Sequence, residues 1–340
     1  MKPVLALAFV LGLGVIGYVV GPFAKTLFFV VLPYVALSVF VLGIIYRVAC
    51  VWGRAPAPFS IGTTCGQQRS LPWIRSATVD NPSSRLAVLA RMLLEVVLFR
   101  SLLRNTRSYV VPGPRIVVRS EWLLWVLAMV FHLSLFVTVV RHLRFVFDPV
   151  PSIVLLVLRF DGFLDISTPT LYVSGIGLLL GACSLLVRRL LDHRLRIVSL
   201  PSDYFPLFLL IAIAGTGVCM RYFTAVDVTA VREVFVGLAR LRPSVPESIS
   251  PLVSMHLFLV CFLIAYLPWS KLAHAAGVFL SPTRNLRCDS RAFRHANPWN
   301  HGVRTRTYAE YESEYRDKLI AANLPIEGDA GTTEGGNRGR

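Results

Sequence analysis

Six runs of about 20 mostly apolar residues, 3–21, 26–48, 122–143, 167–187, 204–220 and 250–275, restrict the fold of this 340-residue chain more than any other feature. A helix rising about 1.5 Å per residue crosses a hydrocarbon layer in about 20 residues, and inside that layer each backbone amide must be satisfied within its own segment. The expected fold class is all-α, a polytopic membrane helix bundle with about six transmembrane helices. Composition agrees, since 55% of the residues are hydrophobic and only 16% charged, a pairing that soluble domains rarely show. Lys2 followed by an apolar run has the form of a signal peptide. The second run follows almost at once, however, and without a small-x-small cleavage site, so an uncleaved first helix is expected, joined to the second in a hairpin (1–48) through Gly21, Pro22 and Lys25.

The chain carries 35 Lys+Arg against 19 Asp+Glu. Such an excess can serve nucleic acid, but here the bases lie in loops between apolar runs, where insertion topology puts them. No nucleic-acid partner is expected; membrane lipids are. Segment 49–119 has ten arginines and two acids, loop 188–202 has Arg188, Arg189, Arg194 and Arg196, and tail 277–340 is basic too. Six spans put all three regions, and both termini, on the cytoplasmic side. Within the first of them, 85–104 is apolar but broken by Arg91, Glu95 and Arg100 at helical spacing, which points to an interfacial amphipathic helix rather than a seventh span. Residues after about 320 are Gly-rich and polar, and are expected to be disordered. The six cysteines, Cys50, Cys65, Cys183, Cys219, Cys261 and Cys288, show neither CxxC nor metal-ligand spacing. Cys288, among arginines, is a candidate reactive or partner-contacting thiol, with an inert buried thiol as the plainer reading.

Ionisable residues inside spans are costly, so each is a candidate for function. Four of the seven histidines lie in only two spans, within segment 120–276: His132 and His142 in the third, His256 and His274 in the sixth. Neutral imidazole is the usual axial ligand of haem iron, and a bis-histidine site takes one ligand from each of two facing helices. Antiparallel helices put His132 and His274 toward the cytoplasm and His142 and His256 toward the outside, which gives two stacked haems. Helical rise opposes this: about 15 Å separates the first pair along its helix and about 27 Å the second, a stagger of about 12 Å. On depth alone a single haem between His132 and His256 fits better.

Histidines ten apart on one helix, then two spans, then histidines eighteen apart resemble the dihaem cytochrome b, or gamma, subunit of respiratory nitrate reductases. The stretches Cys-Gly-Gln-Gln-Arg-Ser-Leu-Pro-Trp-Ile-Arg (65–75), Asp-Asn-Pro (80–82), Pro-Trp-Ser-Lys-Leu-Ala-His (268–274) and Pro-Thr-Arg-Asn-Leu-Arg-Cys-Asp-Ser-Arg (282–291), with the extra N-terminal hairpin, resemble more closely the M subunit of the Dsr membrane complex, associated with sulfite reduction. That resemblance spans about residues 3–301. It implies two haem b, one on His132 and His274 near the cytoplasm and one on His142 and His256 near the outer face, with a quinone site beside the latter. Arg141 and Arg144 are candidates for that site by proximity alone. It further implies electron exchange between menaquinone and a cytoplasmic heterodisulfide-reductase-like iron–sulfur subunit. The remaining implied partners are a multihaem cytochrome c, a periplasmic iron–sulfur protein and a second quinone-interacting membrane subunit, at a bacterial inner membrane.

Trp52 and Trp73 in the first basic region, and Arg284, Arg287, Arg291, Arg294 and Trp299 in the tail, have the composition of a partner-docking surface, with topology and anionic lipid as the competing account. Two further classes stand beside the cytochrome. A transporter should show matched, interrupted half-helices, and a structural anchor needs no intramembrane histidines.

Overall fold

The computed structural model describes residues 2–52, 68–113, 115–163, 169–245, 249–280, 282–289, 291–292 and 305–327. Cys65, Arg294, Trp299 and the tail beyond 327 lie outside them.

Helix α1 (Lys2–Val20) is followed by α2 (Leu32–Tyr46), which is flanked by π-helical turns at Leu27–Val31 and Arg47–Trp52. Then come α3 (Arg85–Leu98), whose N-cap Ser84 accepts from the Ala87 amide, and α4 (Arg100–Leu103). Strands β1 (Thr106–Val111) and β2 (Arg115–Ser120) lead to α5 (Trp122–His142), the short α6 (Ser152–Asp161), α7 (Val173–Leu191) and α8 (His193–Val198). Helices α9 (Pro201–Tyr222) and α11 (Pro251–Tyr266) each begin on a proline, whose fixed φ suits the first helical turn. Between them lies α10 (Val228–Ala239), and after them α12 (His274–Leu280), α13 (Pro282–Asn285) and α14 (Tyr308–Ala321).

Among the described residues, six helices are long and apolar enough to cross a membrane: Lys2–Val20, Leu27–Trp52, Trp122–Phe145, Val173–Leu191, Pro201–Tyr222 and Pro251–Trp269. Leu5, Val15, Leu42, Phe136 and Leu180 stand at least 60% exposed on them, as side chains facing lipid do. Against each other the spans pack through small residues, which let backbones approach. A Cβ on Gly17 would lie 2.8 Å from the Cα of Met255, and one on Gly181 would lie 3.0 Å from the Cα of Phe131. Close packing runs in the order α5, α7, α9, α11, with α1 set against both α9 and α11, and α2 against α11. The N-terminal hairpin thus belongs to the bundle rather than standing beside it.

The run expected to continue as one span over 250–275 does not. Helix α11 ends at Tyr266, passes through a 3-10 turn (Leu267–Trp269), is extended at Ser270 (φ −109°, ψ 174°) and resumes through Lys271–Ala273 into α12. Pro268 has no amide hydrogen to continue a ladder, and Arg47 Nη1 donates to the carbonyl oxygens that the break exposes, at 2.5 Å to Pro268 and 3.3 Å to Ser270. The 167–187 run is likewise displaced, to Val173–Leu191.

Within 85–104 the helix is broken at Phe99, which adopts a left-handed conformation (φ 47°, ψ 46°). Its polar stripe faces inward: Arg91 and Glu95 are buried, whereas Leu86, Leu89, Leu93 and Val97 are more than half exposed. After α4 the chain forms an antiparallel hairpin that the helical reading did not anticipate, pairing Thr106 with Ser120 through Val111 with Arg115, and turning at Gly113 (φ 87°), where a side chain would be strained. Ion pairs bind the basic regions at one end of the bundle. Arg107 pairs with Asp192 at 2.5 Å, Arg194 donates to the Ser108 carbonyl, and Lys2 reaches the Ser199 carbonyl at 2.9 Å.

The chain divides into two compact units, 1–293 and 294–340. In the second, residues 322–327 continue past the end of α14. The chain turns at Asn323 (φ 54°), Ile326 is buried, and the Glu327 amide donates to Glu312 at 2.9 Å. Of the cysteines, Cys50, Cys183, Cys219 and Cys261 are free thiols, and Cys288 is wholly buried.

Candidate cofactor site

Three of the four candidate histidines owe their ring orientation to their own helix or turn. His132 Nδ1 lies 2.8 Å from the carbonyl oxygen of Ala128, His142 Nδ1 2.7 Å from that of Thr138, and His274 Nδ1 2.9 Å from that of Lys271. A carbonyl can only accept, so Nδ1 carries the proton and Nε2 keeps its lone pair. His256 reaches the same state by another route. Its Nδ1 lies 2.8 Å from Thr216 Oγ1, and that hydroxyl donates its one hydrogen back to the Ala212 carbonyl at 2.8 Å. The hydroxyl is left to accept, and His256 to donate. A ring whose Nδ1–H is fixed by an acceptor, with Nε2 open, is the usual state of a metal-ligating histidine.

One pair of rings meets across helical segments: His132 and His274 have centroids 6.0 Å apart and planes at 82°. Although α5 and α11 carry three of these residues, they are not among the closely packed helix pairs of the described residues, and they stand at opposite ends of the order α5, α7, α9, α11. His274 lies beyond the break after α11, so the 27 Å expected from an unbroken helix does not apply to it.

The spacing of His132 and His274 fits an iron porphyrin. Two imidazole nitrogens at about 2 Å on opposite sides of one metal put their ring centroids about 6 Å apart, as seen for His132 and His274. Phe99 and Phe131 meet His132 edge to face, each at 4.9 Å, which lines that site with aromatic carbon. Among the described residues no cluster of three or more His, Cys, Asp or Glu occurs; a bis-histidine porphyrin site needs only two protein ligands.

Beside His142 lies a polar network on α5, α6 and α7. Arg141 pairs with buried Asp161, and Asp161 also accepts from the amide and hydroxyl of Ser174, both at 2.7 Å. Thr138 joins the two parts, since its carbonyl holds His142 and its hydroxyl meets Ser174 Oγ at 3.2 Å. Tyr172 lies beneath the guanidinium groups of Arg141 at 3.9 Å and Arg221 at 4.8 Å, and its hydroxyl is 3.5 Å from Arg144. Arg141 is thus committed to an ion pair, while Arg144 rests on Phe145 and Tyr172. Sequence reasoning did not single out Thr216, Asp161, Tyr172 or Arg221. Thr216 and Asp161 carried a readable signal, as polar residues in or beside apolar runs.

At the other end, Trp73 is 79% exposed, while Trp52 is covered by Arg47 (5.2 Å). Of the two tryptophans proposed for docking in the first basic region, only Trp73 is freely presented.

Residues 116–290, which include the third to sixth spans and all four histidines, match the sequence profile of the nitrate reductase gamma subunit family. The chain belongs to that family. Similar proteins include the Hdr-like menaquinol oxidoreductase cytochrome b-like subunit of Archaeoglobus fulgidus, 42% identical over 281 residues (81% of this chain, 83% of that protein). The subunit of the same name from Archaeoglobus profundus is 40% identical over 279 residues (80% and 82%). This member of the gamma family is a multi-pass membrane protein, and its four candidate ligand histidines all fall within the matched region.

Proposed function

We propose that the chain is the membrane cytochrome b subunit of a menaquinol oxidoreductase, holding two haem b. One would sit between His132 and His274 and the other between His142 and His256. The observation that carries this reading is that all four imidazoles have Nδ1 engaged, which leaves Nε2 to ligate, and that His132 and His274 meet at 6.0 Å. The names of the Archaeoglobus relatives support a cytochrome b acting with menaquinol.

Bound there, the haems supply one-electron transfer across the low-dielectric interior. The residues of the chain do the rest. Thr216 and the carbonyls of Ala128, Thr138 and Lys271 hold the imidazoles in their ligating tautomer. Menaquinol would bind at the end of the bundle that carries His142, with Arg141 and Arg144 as its nearest cations. Arg141 would act through the ion pair that steadies α5, and Arg144 by direct approach. The opposite end, where the basic segments converge, would be cytoplasmic, with both termini there, in a bacterial inner membrane.

Electrons would pass at that end to a heterodisulfide-reductase-like iron–sulfur subunit of a Dsr-type complex in sulfur metabolism. The same assembly would contain a multihaem cytochrome c, a periplasmic iron–sulfur protein and a second quinone-interacting membrane subunit. Exposed Trp73, together with Arg287, whose side chain is 53% exposed, supports docking at this face.

A reduced-minus-oxidised absorbance spectrum with pyridine haemochrome quantitation tests the proposal. Two haems per chain are expected. His132→Ala should lose the one shared with His274, and His256→Ala the one shared with His142. A colourless protein defeats the reading, and one haem per wild-type chain replaces it with a single site.

A further inference from the structure

Arg91 is 5% exposed, and its Nε and Nη1 meet no hydrogen-bond partner. A buried guanidinium in that state is costly, because a desolvated cation recovers its hydration only from an anion or from acceptors. The carboxylate one turn along, Glu95, is already committed: it accepts from the amide and hydroxyl of Ser101 and pairs with Arg284 at 3.4 Å. Asp80 is held by Arg100 and Arg104, at 2.5 and 2.6 Å. The interior face of α3 therefore carries one cation more than its anions match.

That face belongs to the His132–His274 site. Arg91 and Glu95 are spaced four apart and share one stripe of α3, and Phe99 caps the C-terminal end of that helix. Phe99, at its end, touches the His132 ring at 4.9 Å. Helix α13, which starts eight residues after His274, packs on α3. Both chain segments that supply the ligands thus converge on the helix that carries the unmatched charge, while its leucines face outward. Porphyrins of the b type carry two carboxylate side chains, and a guanidinium fork suits a carboxylate in geometry as well as charge.

From this we infer that Arg91 receives a propionate carboxylate of the porphyrin held by His132 and His274, anchoring it and raising its potential. The inference rests on the haem assignment proposed above. Loss of a positive charge beside the porphyrin favours the more positive, oxidised iron. In the full-length protein, Arg91→Met should lower the midpoint potential of that haem by about 59 mV, which is tenfold in the oxidised-to-reduced ratio for a one-electron couple. Arg91→Lys should restore most of the shift, and the His142–His256 haem should keep its potential.

A second measurement covers the case in which the variant does not load. In the double variant His132→Ala, His274→Ala, adding Arg91→Met should leave the thermal unfolding midpoint unchanged or raise it, because an unmatched charge has been removed. If Arg91→Met loads haem normally with an unshifted potential, or destabilises the haem-free chain as much as the loaded one, Arg91 has a partner within the protein and the inference is overturned. If His132→Ala itself loses no haem, the failure lies with the haem assignment.

Discussion

Arg47, at the end of the second span, donates from Nη1 to the carbonyl oxygen of Pro268, 221 residues along the chain, at 2.5 Å. The bond holds open the interruption after α11, and that interruption places His274 beside His132. Six and four residues before a candidate ligand, the carbonyls of Pro268 and Ser270 at the helix break are met by a cation from another span, where water cannot meet them.

Arg47→Met is expected to lower the unfolding free energy by about 2–3 kcal/mol, the scale of hydrogen bonds to a charged group. It should also reduce haem at the His132–His274 site while sparing the other. Thermal unfolding in detergent and haem quantitation on the same preparation check this. Full retention of both haems would show that the break holds His274 in place without Arg47.

Thr216→Val keeps the shape of the side chain but removes the acceptor for His256 Nδ1–H. Loss of such a supporting bond typically weakens metal binding 10–100-fold, so the His142–His256 haem should dissociate at least tenfold faster, and Thr216→Ser should restore retention. Equal loss rates for wild type and Thr216→Val would show that the hydroxyl does not set the tautomer.

Gly17→Leu should destabilise the bundle by several kcal/mol, because even a Cβ there meets the Met255 backbone at 2.8 Å and α1 must move off α11. Gly12→Ala, on the same helix with nothing within 4 Å, should be neutral or stabilising by about 0.5–1 kcal/mol. Unfolding midpoints of the pair in one detergent give the comparison.

Asp192 has its carboxyl held down to about 2, from an ordinary 3.8, chiefly by the Arg107 hydrogen bond. A lowered folded-state value means stability that is present above the unfolded value and lost as the carboxylate is protonated. The wild type should therefore lose stability between about pH 4 and pH 2, by about 1 kcal/mol or less once solvent screening of the pair is allowed for, whereas Asp192→Asn should be weaker at neutral pH and flatter across that window. An acid titration followed by tryptophan fluorescence reads the difference, and parallel curves would mean that the pair contributes nothing.

Much of this protein was legible along the chain. The length of an apolar run reflects the thickness of the layer it crosses, so six spans could be counted before any contact was known, and the arginines between them marked which ends lie together. The types and positions of His132, His142, His256 and His274 were equally plain, since a titratable ring in such a run is conspicuous. The hairpin Thr106–Ser120 was missed because its short strands, flanked by helices, show mainly as a basic loop. Arg91 and Glu95 were noticed, but periodicity alone does not say whether a polar stripe meets water or protein.

What the sequence by itself determined was the fold class, the number of spans and the chemistry available inside them. These follow from hydrophobicity and backbone satisfaction, which act locally. Only the tertiary structure decided which ring meets which, that Arg91 turns inward, and that His274 leaves the line of α11. Those outcomes depend on contacts between residues such as Arg47 and Pro268, which lie on different helices and which no periodicity within either segment encodes.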